Sequence, residues 1–90
     1  MGSKTFISLD ECCKYYSVQK SFVQSLHEHG LIEFRQEEEQ INIDVAELQA
    51  LDKFRRLYYE LDINMEGIEV IHRLLESIDH LHAELRSFKP

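Results

Sequence analysis

An unbroken apolar heptad in the last third of the chain constrains the fold most. From residue 71 onward, apolar residues follow one another in steps of three and four, the spacing of a coiled-coil helix. A helix from residue 65 to about 87 would be roughly 35 Å long, at 1.5 Å per residue, and a small globular unit cannot cover that length. We therefore expect this row, here called the seam, to form a homodimer through Ile71, Leu74, Ile78, Leu81, Leu85 and Phe88.

Residues 8 to 30 predict two short helices joined by a tight turn. Ser8 and Glu11 have the Ser-x-x-Glu spacing of a capping box, so the first helix should begin there. Apolar residues then recur at helical spacing over about residues 18 to 29, and Gly30 stands where a left-handed C-terminal residue is expected. Two helices this close in sequence favour a helix-turn-helix.

The pattern between residues 32 and 43 changes to apolar side chains two positions apart, which indicates short β-strands. A small hairpin fits this pattern. Its tip should hold Glu37, Glu38 and Glu39, which lack the Asn-Gly or Asp-Gly signal of a tight two-residue turn.

Two further helices complete the chain. Asp44 can cap a third helix that ends near Asp62, and Asn64 can cap the helix that carries the seam. The third helix has an apolar stripe formed by Leu48, Leu51, Phe54, Tyr58 and Leu61.

These elements predict a mainly α-helical protein whose residues 1–90 form a single domain. We call residues 5–62 the head; it should contain the helix-turn-helix, the hairpin wing and the connecting helix. Residues 63–88 form the tail, a coiled-coil helix. No internal repeat or Pro/Gly-rich linker interrupts this order.

Charge and composition limit the possible functions. The 17 acidic and 10 basic residues give a net charge of −7, which opposes nucleic acid at long range. The adjacent Cys12 and Cys13 are expected to be reduced thiols. No signal-like N-terminus or apolar run of roughly 18 residues is present, so we expect a cytoplasmic protein without a membrane segment.

The sequence offers no convincing catalytic or metal-binding group. Nothing pairs a nucleophile with a base, and the three scattered glycines form no phosphate-binding loop. His27 and His29 are two positions apart, so on a helix they point in different directions and do not form a ligand pair. We expect neither an enzyme nor a bound cofactor or metal.

The order of parts, with Gly30-Leu31-Ile32 between the helix-turn-helix and the hairpin, resembles the MerR family over nearly the whole chain. This resemblance implies a winged helix-turn-helix. DNA-binding members carry an Arg-Tyr-Tyr stretch before the Gly-Leu step, whereas the matching positions here are Gln24, Ser25 and Leu26. The arginine that grips phosphate is therefore missing.

Within that family, the tail resembles the CbpM type of chaperone modulator. The similarity lies in Leu61-Asp62-Ile63-Asn64-Met65-Glu66-Gly67-Ile68-Glu69-Val70 and in Leu74-Leu75-Glu76-Ser77-Ile78-Asp79-His80-Leu81. Such proteins bind the J-domain of a DnaJ-like co-chaperone, CbpA, and restrain its work with the chaperone DnaK. The resemblance implies a non-catalytic regulator.

An acidic head suits such a partner, because J-domains of this class offer a basic helix and complementary charge speeds encounter. Between residues 8 and 43, three basic side chains stand against seven acidic ones. The predicted partner-binding residues, here called the acidic patch, are Asp10, Glu11, Glu28, Glu37, Glu38 and Glu39.

Two other classes stay open. A MerR-type transcriptional regulator would place two recognition helices on a palindromic operator. A purely structural coiled-coil adaptor would use the seam and make no use of the head's surface. The regulator would contact phosphates through Lys20, Arg35, Lys53, Arg55 and Arg56.

Overall fold

Helices and a three-stranded antiparallel sheet follow one another in the order of a winged helix-turn-helix. The structure is a computed structural model that describes residues 5–88. A 3₁₀ turn at Val45–Glu47 precedes the third helix, and a π-helical turn at Arg56–Glu60 follows it. The strands and α-helices are β1 Phe6–Ser8, α1 Leu9–Tyr16, α2 Lys20–Glu28, β2 Arg35–Glu37, β3 Gln40–Asp44, α3 Leu48–Arg55 and α4 Met65–Ser87.

The predicted capping box starts α1. The Ser8 hydroxyl accepts the backbone N–H of Glu11 at 3.1 Å, and the Glu11 carboxylate accepts the backbone N–H of Ser8 at 3.2 Å. Both bonds satisfy donors that the first helical turn leaves free. The predicted start of the first helix is therefore confirmed.

Both helices of the helix-turn-helix end in a left-handed residue. After α2 this residue is Gly30, with a φ of 74°, and the backbone N–H of Leu31 donates to the Leu26 carbonyl at 2.9 Å. After α1 it is Ser17, with a φ of 55°. Such a residue turns the chain sharply, which sets α1 and α2 side by side.

The predicted hairpin is present, but its tip differs from the prediction. Glu37 is the last residue of β2 and pairs with Gln40, so only Glu38 and Glu39 form the turn. Glu38 takes a φ of 55°, the positive value that glycine or asparagine usually supplies in such turns. A two-residue turn therefore forms without its usual sequence signal.

A third strand, β1, was not predicted from the sequence. It pairs antiparallel with β3, with Ile7 opposite Ile43, and β3 lies between β1 and β2. Three residues are too few to show an alternating pattern. This strand attaches the start of the chain to the wing.

The connecting helix follows its predicted stripe only in its first part. Leu51 and Phe54 are buried, whereas Tyr58 and Leu61 are exposed. The π-helical turn changes the helical phase, so Leu57, rather than Tyr58, packs against the core after Arg55. Helical structure ends at Glu60, close to the predicted end near Asp62.

One core joins the head to the start of the tail. Every α-helix contributes to it, and α4 does so through Ile68, which is fully buried. Burial raises the pKa of the Cys12 thiol to about 11, so this cysteine is a neutral packing residue at physiological pH. The buried core residues are Leu9, Cys12, Phe22, Val23, Leu26, Leu31, Ile32, Ile43, Leu51, Phe54 and Ile68.

The tail helix leaves this core after its second turn. The Asn64 side chain accepts the backbone N–H of Gly67 at 2.8 Å, which confirms the predicted cap. Ile71 is half-buried, but every described residue from 73 to 88 is exposed. Within residues 5–88, the seam beyond Ile71 therefore has no apolar surface to pack against.

None of the helices within residues 5–88 combines the length and the apolar composition that crossing a bilayer requires.

Replacing Gly30 by alanine is expected to lower the free energy of unfolding by about 1 kcal/mol, because a Cβ disfavours a positive φ. A Cβ at this position meets no atom within 4 Å, so the loss is conformational rather than steric. Ser17→Gly is the matched reverse change and should raise the same free energy by about 0.5 kcal/mol. Urea unfolding followed by circular dichroism measures both. Equal stability of wild type and Gly30→Ala would contradict the assigned left-handed turn.

Candidate functional site

Two members of the acidic patch meet where α1, α2 and β3 come together. Asp10 and Glu39 line a shallow depression of about 170 Å³ that also includes Lys20 and Gln24. The Asp10 carboxylate lies 3.0 Å from the Lys20 ammonium group. Glu39 is exposed at the hairpin turn. The depression therefore connects the second helix with the wing.

The other members have separate positions. Glu11 has its carboxylate engaged in the α1 cap, and Glu28 is exposed at the end of α2. Neither lines the depression. Glu37 accepts hydrogen bonds from Arg35 and Asn42, each at 3.3 Å. Glu38, like Glu39, is exposed at the turn.

Most of the cations that a DNA-binding function would use are paired with carboxylates. Asp52 lies 2.6 Å from Arg55 and 3.7 Å from Arg56, and Arg55 also lies 3.7 Å from Glu60. Lys20 and Arg35 have their own acidic partners. An ion pair within the protein lowers the positive potential that a phosphate would meet. Four of the five proposed phosphate contacts therefore already have a carboxylate within 4 Å, namely Lys20, Arg35, Arg55 and Arg56.

A polar uncharged residue, Gln24, also lines the depression. Gln24 is exposed on α2 and lines the depression between Lys20 and the wing. Its side chain offers hydrogen-bond donors and an acceptor but no charge. The exposed face of α2 thus carries an uncharged hydrogen-bonding group at this position.

A contact that the sequence did not reveal joins the head to the tail. The Nδ1 of His29, at the end of α2, lies 2.9 Å from a Glu69 carboxylate oxygen on α4. Arg73 donates to the other oxygen of Glu69 at 2.6 Å. The hydrogen bond from His29, together with Arg73, holds the pKa of Glu69 below its ordinary value. His29 and Glu69 are 40 positions apart in the chain, so no local sequence pattern predicts their contact.

An aromatic cluster joins the π-helical turn to the start of α2. The Phe22 ring centroid lies 4.9 Å from that of Tyr58 and 5.2 Å from that of Tyr59. The Tyr59 hydroxyl accepts the backbone N–H of Gln19 at 3.2 Å. Aromatic pairs of this kind add stability beyond the area they bury. The π-helical turn therefore packs against the start of α2.

Among residues 5 to 88, no three histidine, cysteine, aspartate or glutamate side chains converge in a way that could hold a metal ion.

Comparison with known proteins identifies the family. A family model described as MerR HTH family regulatory protein matches residues 7–90. The chain belongs to the MerR family. No curated protein matches it. In this MerR chain, α1 and α2 are the helix-turn-helix, and the β2–β3 hairpin is the wing.

We expect Glu69→Gln to reduce the acid sensitivity of folding. The folded state holds the pKa of Glu69 below its ordinary 4.5, so the ionised carboxylate favours folding. This contribution is complete above the ordinary pKa and is lost as pH falls through the lower, folded-state pKa. In thermal melts from pH 7 to pH 3, the wild type should therefore lose more stability than the variant.

Glu84→Gln removes an exposed carboxylate from the same helix and serves as the control. If the melting temperatures of wild type and Glu69→Gln fell equally over the whole pH range, the His29–Glu69 contact would not couple protonation to folding.

Proposed function

We propose that this MerR family chain is a non-catalytic modulator that binds the J-domain of a DnaJ/CbpA-type co-chaperone and inhibits its action with DnaK. The pairing of cations on the head carries the proposal, because it leaves little free positive charge where a DNA-binding protein needs a basic surface. The resemblance of the tail to CbpM-type modulators points to the same partner. Such a protein would work in the cytoplasm.

The proposed mechanism is competitive masking. Glu38 and Glu39 project from the wing and would meet the basic helix of the J-domain. Complementary charge raises the rate of encounter, while apolar and hydrogen-bonding contacts slow dissociation. Gln24 and the depression around it would supply such contacts. A J-domain held in this way cannot present the same basic surface to DnaK.

A homodimer through the seam would give the modulator two heads. Leu74, Ile78, Leu81 and Leu85 are between 46% and 62% exposed, although they form an apolar row on one face of α4. Burying such a row against an identical helix removes apolar surface from water. Two heads raise the effective concentration of one binding site after the other has bound.

The second candidate is a MerR-type DNA-binding transcriptional regulator. The family description favours it, since that model covers the helix-turn-helix as well as the tail. Lys20 on α2 and Lys53 on α3 are exposed and would be its first phosphate contacts. The carboxylates paired with Lys20 and with the three arginines would have to be displaced.

Reversing the charge of Glu37, Glu38 and Glu39 to lysine should weaken J-domain binding. The change removes three exposed attractions and replaces them with repulsion. The affinity for the J-domain should therefore fall at least roughly tenfold. Calorimetric titration with a CbpA-type J-domain at two salt concentrations measures this change, and wild-type binding should weaken as salt rises. A random DNA duplex is titrated in parallel.

The control variant replaces Glu66, Glu76 and Asp79 by lysine, which changes the net charge equally at exposed positions of α4 outside the seam. Unchanged affinity of the wing variant would remove this patch from the mechanism. Binding of the duplex but not of the J-domain would favour the transcriptional regulator.

Ile78→Asp should convert a dimer into a monomer, because a carboxylate at the centre of the seam cannot be buried without a partner. Sedimentation equilibrium measures the change, and the wild type is expected at twice the mass of one chain. Ala83→Asp adds the same charge on α4 outside the seam and should leave the dimer intact. A monomeric wild type at micromolar concentration would exclude the homodimer.

A further inference from the structure

One side chain of α2 holds the loop that leads from the helix-turn-helix into the wing. The Nδ1 of His27 lies 3.2 Å from the carbonyl oxygen of Ile32. The imidazole ring also stacks on the ring of Phe34, with the two centroids 4.2 Å apart and the planes 7° from parallel. We call these two contacts the clip. They connect the last turn of α2 with the residues that enter β2.

The turn after α2 places both targets of the clip. The backbone N–H of Gly30 donates to the His27 carbonyl at 3.0 Å, and the left-handed φ of Gly30 reverses the chain. Ile32 is then buried in the core, and Phe34, two positions later, packs against the same core half-buried. The core therefore fixes the two groups that His27 contacts.

The hydrogen bond of the clip also determines where His27 carries its proton. A carbonyl oxygen only accepts, so Nδ1 must donate, and in the neutral ring Nε2 is then the unprotonated nitrogen. Two histidines of α4 have the opposite arrangement. In His72 and His80 it is Nε2 that lies near a carboxylate oxygen, at 3.3 Å and 3.2 Å. Carboxylates also only accept, so these two rings should favour the proton on Nε2.

Strand β2 is the part of the wing that depends on such a contact. All three of its residues are exposed, and it pairs with β3 alone among the described strands. β3, by contrast, pairs on both sides and buries Ile43. The start of β2 is held by Phe34 against His27 and by Arg35, whose guanidinium carbon lies 5.0 Å from the Phe6 ring centroid. Only the first of these two contacts joins β2 to α2.

We infer that His27 is the positioning residue of the wing. Its clip holds β2 beside α2, and β2 in turn holds the acidic turn formed by Glu38 and Glu39. A turn held in place before binding loses less conformational freedom when a partner binds, so the affinity is higher. Histidine suits this role because one side chain supplies both an N–H donor and a flat ring. The clip itself needs no partner, whereas its effect on J-domain binding rests on the proposed function.

The first test is NMR of the histidine ring nitrogens in ¹⁵N-labelled protein at alkaline pH, where imidazole is neutral. We expect the Nδ1 resonance of His27 to be that of a protonated nitrogen and its Nε2 resonance that of an unprotonated one. His72 and His80 should favour the reverse pattern and serve as internal references. An unprotonated Nδ1 in His27 would exclude the clip.

Three variants separate the ring from the donor. His27→Phe keeps a flat ring without the N–H, His27→Asn keeps an N–H donor without the ring, and His27→Ala removes both. In His27→Ala, the ¹⁵N heteronuclear NOE should fall at residues 33–39 and stay unchanged at residues 42–44, with the other two variants between it and wild type. His82→Ala removes an exposed histidine of α4 and should change neither range.

Thermal melts check that all four variants are folded. Two results would overturn the inference: equal NOE values in wild type and His27→Ala, or an equal fall at residues 33–39 and 42–44, which would indicate general destabilisation.

Calorimetric titration with the J-domain tests the consequence for binding. His27→Ala should bind it roughly threefold to tenfold more weakly, because the loosened turn must be ordered on binding, and His27→Phe and His27→Asn should recover part of the loss. No J-domain binding by the wild type rejects the proposed modulator and leaves the clip to the NMR tests. Unchanged affinity of His27→Ala, with residues 33–39 loosened, rejects the role of the clip in binding.

Discussion

Burial of one small apolar core is the constraint on which the rest of the structure depends. A chain of 90 residues can enclose one such core. Leu51 and Phe54 place α3 in it, and Ile68 fixes the first turns of α4 there. Full burial of each such side chain is worth about 1.5–3 kcal/mol. Once these positions are filled, the remaining apolar residues of α4 have no place in the head, which is why the seam is exposed.

Local signals in the sequence predicted much of the fold. The caps at Ser8 and Asn64 depend on residues three positions away, and the structure contains both. The left-handed end of α2 likewise follows from one glycine. The sequence did not predict β1, because its pairing with β3 depends on residues more than thirty positions away. The π-helical turn also has no recognisable sequence pattern. The predicted buried stripe therefore includes Tyr58, which the structure leaves exposed.

The candidate site could be predicted only in part. Composition and spacing placed acidic residues in the head, but they did not show which carboxylates are free. Glu11 serves the helix cap, and Glu37 pairs with Arg35. The same holds for the cations, because Arg55 and Arg56 share Asp52 only once α3 has formed. The accessible charge of a small protein therefore follows from its ion pairs and caps, and counting residues in the sequence does not give it.

The tyrosines of the aromatic cluster around Phe22 can serve as an intrinsic fluorescence probe. The chain has four tyrosines and no tryptophan, so its near-ultraviolet emission comes from tyrosine alone. Tyr58 and Tyr59 lie against Phe22, where the π-helical turn meets the start of α2, while Tyr15 and Tyr16 lie together at the end of α1. Replacing Tyr15 and Tyr16 by phenylalanine would leave a tyrosine fluorescence signal from Tyr58 and Tyr59 only. Movement of the π-helical turn relative to α2 could then be followed in solution without an attached dye.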